Sequence, residues 1–233
     1  MSVDIWSDVR CPFCYIGKRK FETGLESFPG KDKIEVNWHS FQLDPDLVTQ
    51  PGINVHDYFA ERKGVTREQS LKMHEQVTHT AKEAGLEFNF EKAVMANSFN
   101  AHRLIQYAKA NGKGDEAEEQ LFKAYFTDGK NIDDPETLIG IGASMGFEPE
   151  RIGEMLSSSA FEAAVREDEL QAQHIGIRGV PFFIFNNRYA VSGAQAPGTF
   201  LAALEKSFGE FEKEGEIVIA DGGETCTTDG KCS

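Results

Sequence analysis

The sequence predicts an α/β fold in which an all-helical block interrupts a small sheet. Three observations carry that prediction. A short alternating strand runs directly into a Cys-Pro-Phe-Cys turn and a helix near the N-terminus. Helical periodicity without strands fills the chain from about residue 53 to residue 176. The continuous apolar run Phe182-Phe183-Ile184-Phe185 then restores strand character and leads to an amphipathic helix.

The elements follow in order. Val3-Asp4-Ile5-Trp6 alternates apolar with polar and reads as a strand that delivers the chain to Cys11. Pro12 falls just inside the next helix, where its missing N–H costs nothing, and Ile16 and Leu25 recur at helical spacing among Lys18, Arg19 and Glu22. Pro29-Gly30-Lys31-Asp32 marks a turn, and Ile34 to Phe41 alternates as a second strand. Leu43-Asp44-Pro45-Asp46 ends it, because proline cannot donate to a ladder. In the helical block, Thr66-Arg67-Glu68-Gln69 has the form of a capping box and Gly85 closes its helix. Asn97 is the expected cap of the next helix, and Asp115 with Glu118 is expected to repeat the box. Asp134-Pro135 and Glu148-Pro149 open two more helices, and a long one carrying Phe161, Val165, Ala172 and Ile175 ends at Gly176. After the apolar strand, Asn186-Asn187 tolerates the positive φ of a tight hairpin whose second strand is Tyr189-Ala190-Val191. Pro197 begins a final helix with Phe200, Leu201, Leu204 and Phe208 on one side, expected to close at Gly209. The predicted units are therefore residues 1–45 with 177–209, a helical insertion over 46–176, and a tail over 210–233.

The chemistry concentrates at Cys11 and Cys14. A sulfur at the tip of a helix meets the unpaired N–H groups of the first turn and the positive end of the macrodipole, which favour thiolate over thiol. Cys11 is therefore predicted to be the exposed nucleophile, and Cys14, one turn inward, the shielded resolving thiol. Pro12 and Phe13 between them would face the substrate. A zinc site is the main competing reading of two cysteines at this spacing. The other pair in the chain, Cys226 and Cys232, is spaced too widely for a zinc knuckle, so no metal is expected.

Composition bounds the rest. With 233 residues, 40% of them hydrophobic, the chain can bury a substantial core. Met1-Ser2-Val3-Asp4 shows neither a basic n-region nor an apolar h-region, and no run is long enough to span a bilayer, so a cytoplasmic location is expected. In that reducing compartment cysteines tend to be catalytic or metal-binding rather than structural. A net charge of −14 argues against nucleic acid or an anionic membrane as partner.

Four stretches, Asp8 to Gly17 (DVRCPFCYIG), Phe41 to Pro45 (FQLDP), Asn97 to Leu104 (NSFNAHRL) and Gly176 to Phe183 (GIRGVPFF), together resemble the thioredoxin superfamily and, within it, the DsbA family. The resemblance is greatest to the cytoplasmic FrnE-like branch, related to 2-hydroxychromene-2-carboxylate isomerases and kappa-class glutathione transferases. It implies a thioredoxin-like fold with a large all-helical insertion between the second and third strands, and dithiol–disulfide exchange at Cys11 and Cys14. It also implies a cis Val180–Pro181 bond facing the cysteines, leaving the Val180 backbone free to pair with an extended substrate. In the isomerase and transferase relatives a serine commonly replaces the first cysteine. Cys11 departs from that pattern and favours redox cycling. The implied partners are proteins bearing thiols or disulfides, with glutathione a candidate co-substrate, a thioredoxin-type reductant a candidate recycler, and a homodimer compatible with the family; no resident cofactor is implied. Cys226 and Cys232 would form either a structural staple or a second redox pair. His102 is a candidate for the substrate groove, a glutathione-dependent isomerase or transferase is the second functional reading, and a non-catalytic holdase is the third.

Overall fold

A computed structural model describes residues 1–214. Four strands, β1 (Ser2–Ser7), β2 (Glu35–Ser40), β3 (Phe182–Phe185) and β4 (Tyr189–Ser192), form one sheet in the order β2-β1-β3-β4. β1 runs parallel to β2 and antiparallel to β3, which pairs antiparallel with β4. Two helices serve the sheet, α1 (Pro12–Glu26) and α9 (Pro197–Glu214). Between β2 and β3 lie seven: α2 (Val55–Lys63), α3 (Arg67–Glu83), α4 (Phe99–Ala110), α5 (Gly114–Phe122), α6 (Pro135–Ser144), α7 (Pro149–Ser157) and α8 (Glu162–Ile175). The α/β class and the helical insertion between the second and third strands are as the sequence predicts. No helix among the described residues is long and apolar enough to cross a membrane.

Helix α1 organises the packing because it belongs to two apolar clusters. Its first turns place Cys14, Tyr15 and Ile16 against Leu104, Phe122 and Phe126 of the helical block. Further along, Phe21 packs between the sheet and α9, its ring centroid 5.6 Å from Phe183 and 5.8 Å from Phe200. Each buried phenylalanine of this kind contributes about 3–5 kcal/mol relative to alanine.

Local signals fixed several helix ends as expected. Thr66 and Gln69 form the reciprocal capping box of α3, and the Asp134 side chain accepts the Thr137 N–H at the start of α6. Asn186 and Asn187 take φ of 49° and 54° in the hairpin. Other ends differ because tertiary contacts win. The N-cap of α4 is Ser98, although the Asn97 side chain still accepts the Phe99 N–H. Asp115 caps nothing: it receives Trp38 Nε1 at 3.0 Å and Lys18 Nζ at 3.2 Å, while Glu118 is buried. Gly209 does not stop α9, whose next turn is held by Tyr189 and Arg188 on Glu210 and by Lys33 on Glu212. Helix α2, capped by Asn54 and closed by Gly64 at φ 64°, was not assigned from the sequence. Ile175, one of the apolar positions by which the sequence marks α8, is 52% exposed.

His39 on β2 joins the sheet to the helical block. Its Nδ1 lies 2.8 Å from Asp168 on α8 and its Nε2 3.0 Å from Asp4 on β1, with the ring stacked on Trp6. Burial alone would lower the imidazole, but the two carboxylates raise it above its ordinary 6.5. Burial would raise Asp4 and Asp168, and His39 instead holds both below 3.8. The raised His39 contributes stability below 6.5 that is lost as pH climbs through its elevated native value. The lowered carboxylates contribute above 3.8 and lose it as pH falls through theirs. His39→Gln is therefore expected to cost about 3 kcal/mol within that window, with the deficit narrowing at alkaline pH, as urea unfolding at several pH values will show.

Where β3 begins, Gly17 lets α1 approach the chain closely: a Cβ there would stand 2.9 Å from Pro181 Cγ and 3.5 Å from Phe183 Cζ. Neither ring can retreat easily. Gly17→Ala is expected to cost about 1–3 kcal/mol in chemical unfolding, the usual range for overpacking.

Candidate active site

The turn between β1 and α1 is built on a carboxylate. Asp8, with no exposed surface, accepts the Arg10 N–H at 3.1 Å and the Leu43 N–H at 2.8 Å, and its carbonyl accepts the Cys11 N–H at 2.9 Å. Burial pushes the Asp8 carboxyl up. The His102 imidazole, the Leu43 N–H and the Arg10 charge outweigh it and leave the group below its ordinary value. Cys11 is thereby fixed as the N-cap of α1 in an extended conformation, with Pro12 in the first turn.

Both cysteines are free thiols. The Cys11 side chain makes no capping bond to the first turn of α1. It points across to the strand-entry loop, its Sγ 3.6 Å from the Val180 carbonyl, and the Val180–Pro181 bond is cis. The expectation of an exposed Cys11 is corrected: the residue is 5% exposed, because Val180 and the helical block close over it. It opens instead onto a cleft of about 770 Å³ whose lining includes Phe13, Tyr58, Met73, Phe90 and Val180. Phe13 is 46% exposed at the mouth. Cys14 is 1% exposed, and burial, with Cys11 as its neighbour, pushes its thiol well above the ordinary range. One sulfur thus meets the cleft and the other is sealed behind it.

The helical block supplies most of the cleft. After α5 the chain makes a π turn over Lys123–Thr127, which brings Tyr125 and Phe126 into the lining. Such wide turns recur at functional sites, since the extra residue redirects side chains. Arg10 is mostly buried: burial would lower its guanidinium, and Tyr125 and Asp8 beside it keep it raised. Across the cleft Tyr58 donates to Asp44 at 2.7 Å, and Arg62 pairs with the same carboxylate at 3.0 Å. Sequence reasoning did not single out Arg10, Tyr58, Met73 or Tyr125 as site residues. Arg10 stands inside the motif, but the other three come from distant helices with no local signal.

His102 is corrected. It is 0% exposed and lies behind the cysteines, its Nε2 3.5 Å from Asp8 Oδ1, away from the cleft. Cys226 and Cys232 fall outside the described residues. Among the described residues no group of three or more His, Cys, Asp and Glu side chains is arranged to hold a metal ion.

Comparison with known proteins agrees with this geometry. The chain is 32% identical to the probable DsbA oxidoreductase SCO1869 of Streptomyces coelicolor over 100% of this chain and 98% of that one, with a TM-score of 0.85. It is 28% identical to the protein YwbO of Bacillus subtilis (strain 168) over 206 residues, 87% of this chain and 94% of YwbO. The cytosolic disulfide reductase DsbM of Pseudomonas aeruginosa shares the fold, with 18% identity, a TM-score of 0.59 and coverage of 92% and 98% of the two chains. Residues 2–205 match the DSBA-like thioredoxin domain, and the chain belongs to that family.

Proposed function

We propose that the protein is a thiol–disulfide oxidoreductase that cycles Cys11 and Cys14 between dithiol and disulfide, on the FrnE-like side of its family. The observation that carries this reading is the asymmetry of the pair: Cys11 opens onto a cleft while Cys14 is sealed directly behind it. In the reducing direction the Cys11 thiolate attacks a substrate disulfide, and Cys14 displaces the substrate from the mixed disulfide. In the oxidising direction a substrate thiolate attacks the Cys11–Cys14 bond at Cys11 and a second thiol completes the exchange.

The cleft suits a peptide. Phe13, Leu43 and Met73 expose apolar surface at its edge, and Val180, which lines the same cleft, has a backbone N–H without a partner among the described residues. A disulfide-bearing segment could lie there extended, pairing with Val180 while apolar side chains enter the cleft. Glutathione serves as co-substrate in this reading, with a thioredoxin-type reductant as recycler. No resident cofactor is needed, and the cytoplasm is the compartment that suits a reducing cycle. Phe13 brings neither charge nor hydrogen-bond donor to the pair, so we expect it to be less oxidising than one with histidine at that place.

Insulin reduction in the presence of a dithiol tests the proposal. Wild type is expected to accelerate precipitation of the insulin chains, Cys11→Ser to abolish the acceleration, and Cys14→Ser to accumulate covalent mixed disulfides. Turnover that survives Cys14→Ala and requires glutathione would place the protein among isomerases or transferases instead. Suppression of aggregation indifferent to Cys11→Ser would point to a holdase.

A further inference from the structure

The part of the cleft wall built by the helical block carries a histidine pair to which thiol–disulfide exchange gives no role. His74 of α3 borders the cleft and is 8% exposed, while His56 of α2 is 3% exposed and lies outside the lining. Their Nδ1 atoms face each other at 2.8 Å, and His56 Nε2 lies 3.2 Å from Glu91 Oε1 in the turn Phe90–Lys92. Two facing ring nitrogens need one proton between them, and the surrounding hydrogen bonds decide where it sits. The Glu91 carboxylate accepts, so His56 carries its proton on Nε2 and leaves Nδ1 bare. His74 then carries its own on Nδ1. Ser70 leads independently to the same assignment: its hydroxyl donates to the His56 carbonyl at 2.8 Å, so its Oγ, 3.5 Å from His74 Nδ1, is left to accept.

A chain of hydrogen bonds therefore runs from His74 through His56 to Glu91, and it leaves the lone pair of His74 Nε2 unused. No group among the described residues donates to Nε2, and it is not one of the buried polar atoms sealed without a partner, so it keeps its access to the cleft. Burial, with His56 as neighbour, holds His74 down at about 4, which keeps the ring neutral and Nε2 an acceptor near neutral pH.

The surface around that acceptor is aromatic and apolar. The His74 ring centroid lies 4.9 Å from Phe59 and 4.5 Å from Phe90, and the neighbouring Met73 is 41% exposed. Arg62 and Lys63 border the same cleft, and Asp44, its one carboxylate among the described residues, is taken by Tyr58 and Arg62. A cationic donor would meet those positive charges, and an anion would meet the lone pair. What fits is a flat apolar group with a neutral donor at its tip.

We propose that His74 Nε2 is a specificity-determining acceptor of the cleft, receiving the O–H of a tyrosine or the N–H of a tryptophan on the substrate chain while Phe59, Phe90 and Met73 hold the ring. The inference rests on the redox reading of the cysteine pair and names a substrate class for it: disulfide-bearing peptides with a donor-tipped aromatic side chain near the reacting cysteine. Phenylalanine fills the same space but leaves Nε2 without a donor in a largely apolar setting, and discrimination arises from that loss. His56 and Glu91 touch no substrate and are positioning residues, fixing the proton on the far side of the His74 ring.

Reduction of symmetrical disulfides of short peptides, with a dithiol as electron source, tests the inference. Each peptide carries one tyrosine, tryptophan or phenylalanine, moved stepwise along either side of the cysteine. At the favoured spacing, kcat/KM for the tyrosine or the tryptophan peptide, whichever donor the subsite takes, is expected to exceed that for the phenylalanine peptide roughly tenfold. His74→Phe, which keeps a ring and removes the acceptor, is expected to bring that ratio to about one. Should this variant fail to fold, long-range proton–nitrogen correlation on wild type with isotope-labelled histidine decides: His74 is expected to show a protonated Nδ1 and a bare Nε2 at neutral pH. A protonated Nε2 on His74, a ratio that survives His74→Phe, or a wild type that reduces all three peptides alike at every spacing would overturn the inference and leave the redox reading standing. A wild type that reduces none of the peptides would overturn the redox reading, and the inference with it.

Discussion

A carboxylate with no exposed surface sits under the turn that presents Cys11, and much of the site depends on how it is held. Taking an ion out of water costs several kcal/mol unless its partners are well placed. Asp8 meets that cost with two backbone N–H groups, from Arg10 and Leu43, and with His102 alongside. Each partner comes from a different part of the chain: the turn itself, the segment after β2, and α4 in the helical block. Satisfying one charge therefore fixes the turn that presents Cys11 and docks the helical block against the sheet. The same logic operates at the other side of α1, where Lys18, 2% exposed in its side chain, reaches Asp115 and Glu119 on α5. The helical block is thus attached to α1 at both of its flanks, through buried Asp8 on one and buried Lys18 on the other.

Much of the fold was legible because local rules decided it. The Thr66–Gln69 capping box, the Asp134–Pro135 helix start and the Asn186–Asn187 hairpin depend on residues within a few positions of one another. Period-two alternation likewise found β2, observed over Glu35–Ser40. The errors arose where a side chain with a plausible local use was taken by a distant partner. Asp115 could have capped α5, but Trp38 and Lys18 claim it. Gly209 could have ended α9, yet Glu210 and Glu212 find partners on β4, on the loop before it and ahead of β2 that keep the helix going. Helix α2 buries only Val55, His56 and Ala60, too thin an apolar stripe to announce itself among polar neighbours.

The site followed the same division. Cys11, Cys14, Pro12 and Phe13 are contiguous and could be read directly, and the resemblance supplied Val180 and Pro181 from the far end of the chain. What the sequence could not reveal was depth. Whether a thiol at a helix tip is exposed depends on what lies over it, and here the cover comes from Val180 and the helical block. His102 was misplaced for the same reason: a polar residue on an amphipathic helix can face a groove or a buried ion, and only Asp8 determines which. Tyr58 and Tyr125 reach the cleft through α2 and through a π turn, neither of which leaves a trace in periodicity.

Membership of α1 in two apolar clusters has a consequence for how the molecule opens. A helix gripped on one side by Tyr15 stacked on Phe122, and on the other by Phe21 among Phe183 and Phe200, cannot fray without loosening both. Its middle amides are therefore expected to exchange with the slowest unit of the fold. The cysteine-bearing end of the helix is thus anchored in a part of the architecture that two clusters hold at once, and any adjustment of shape falls to the walls of the cleft.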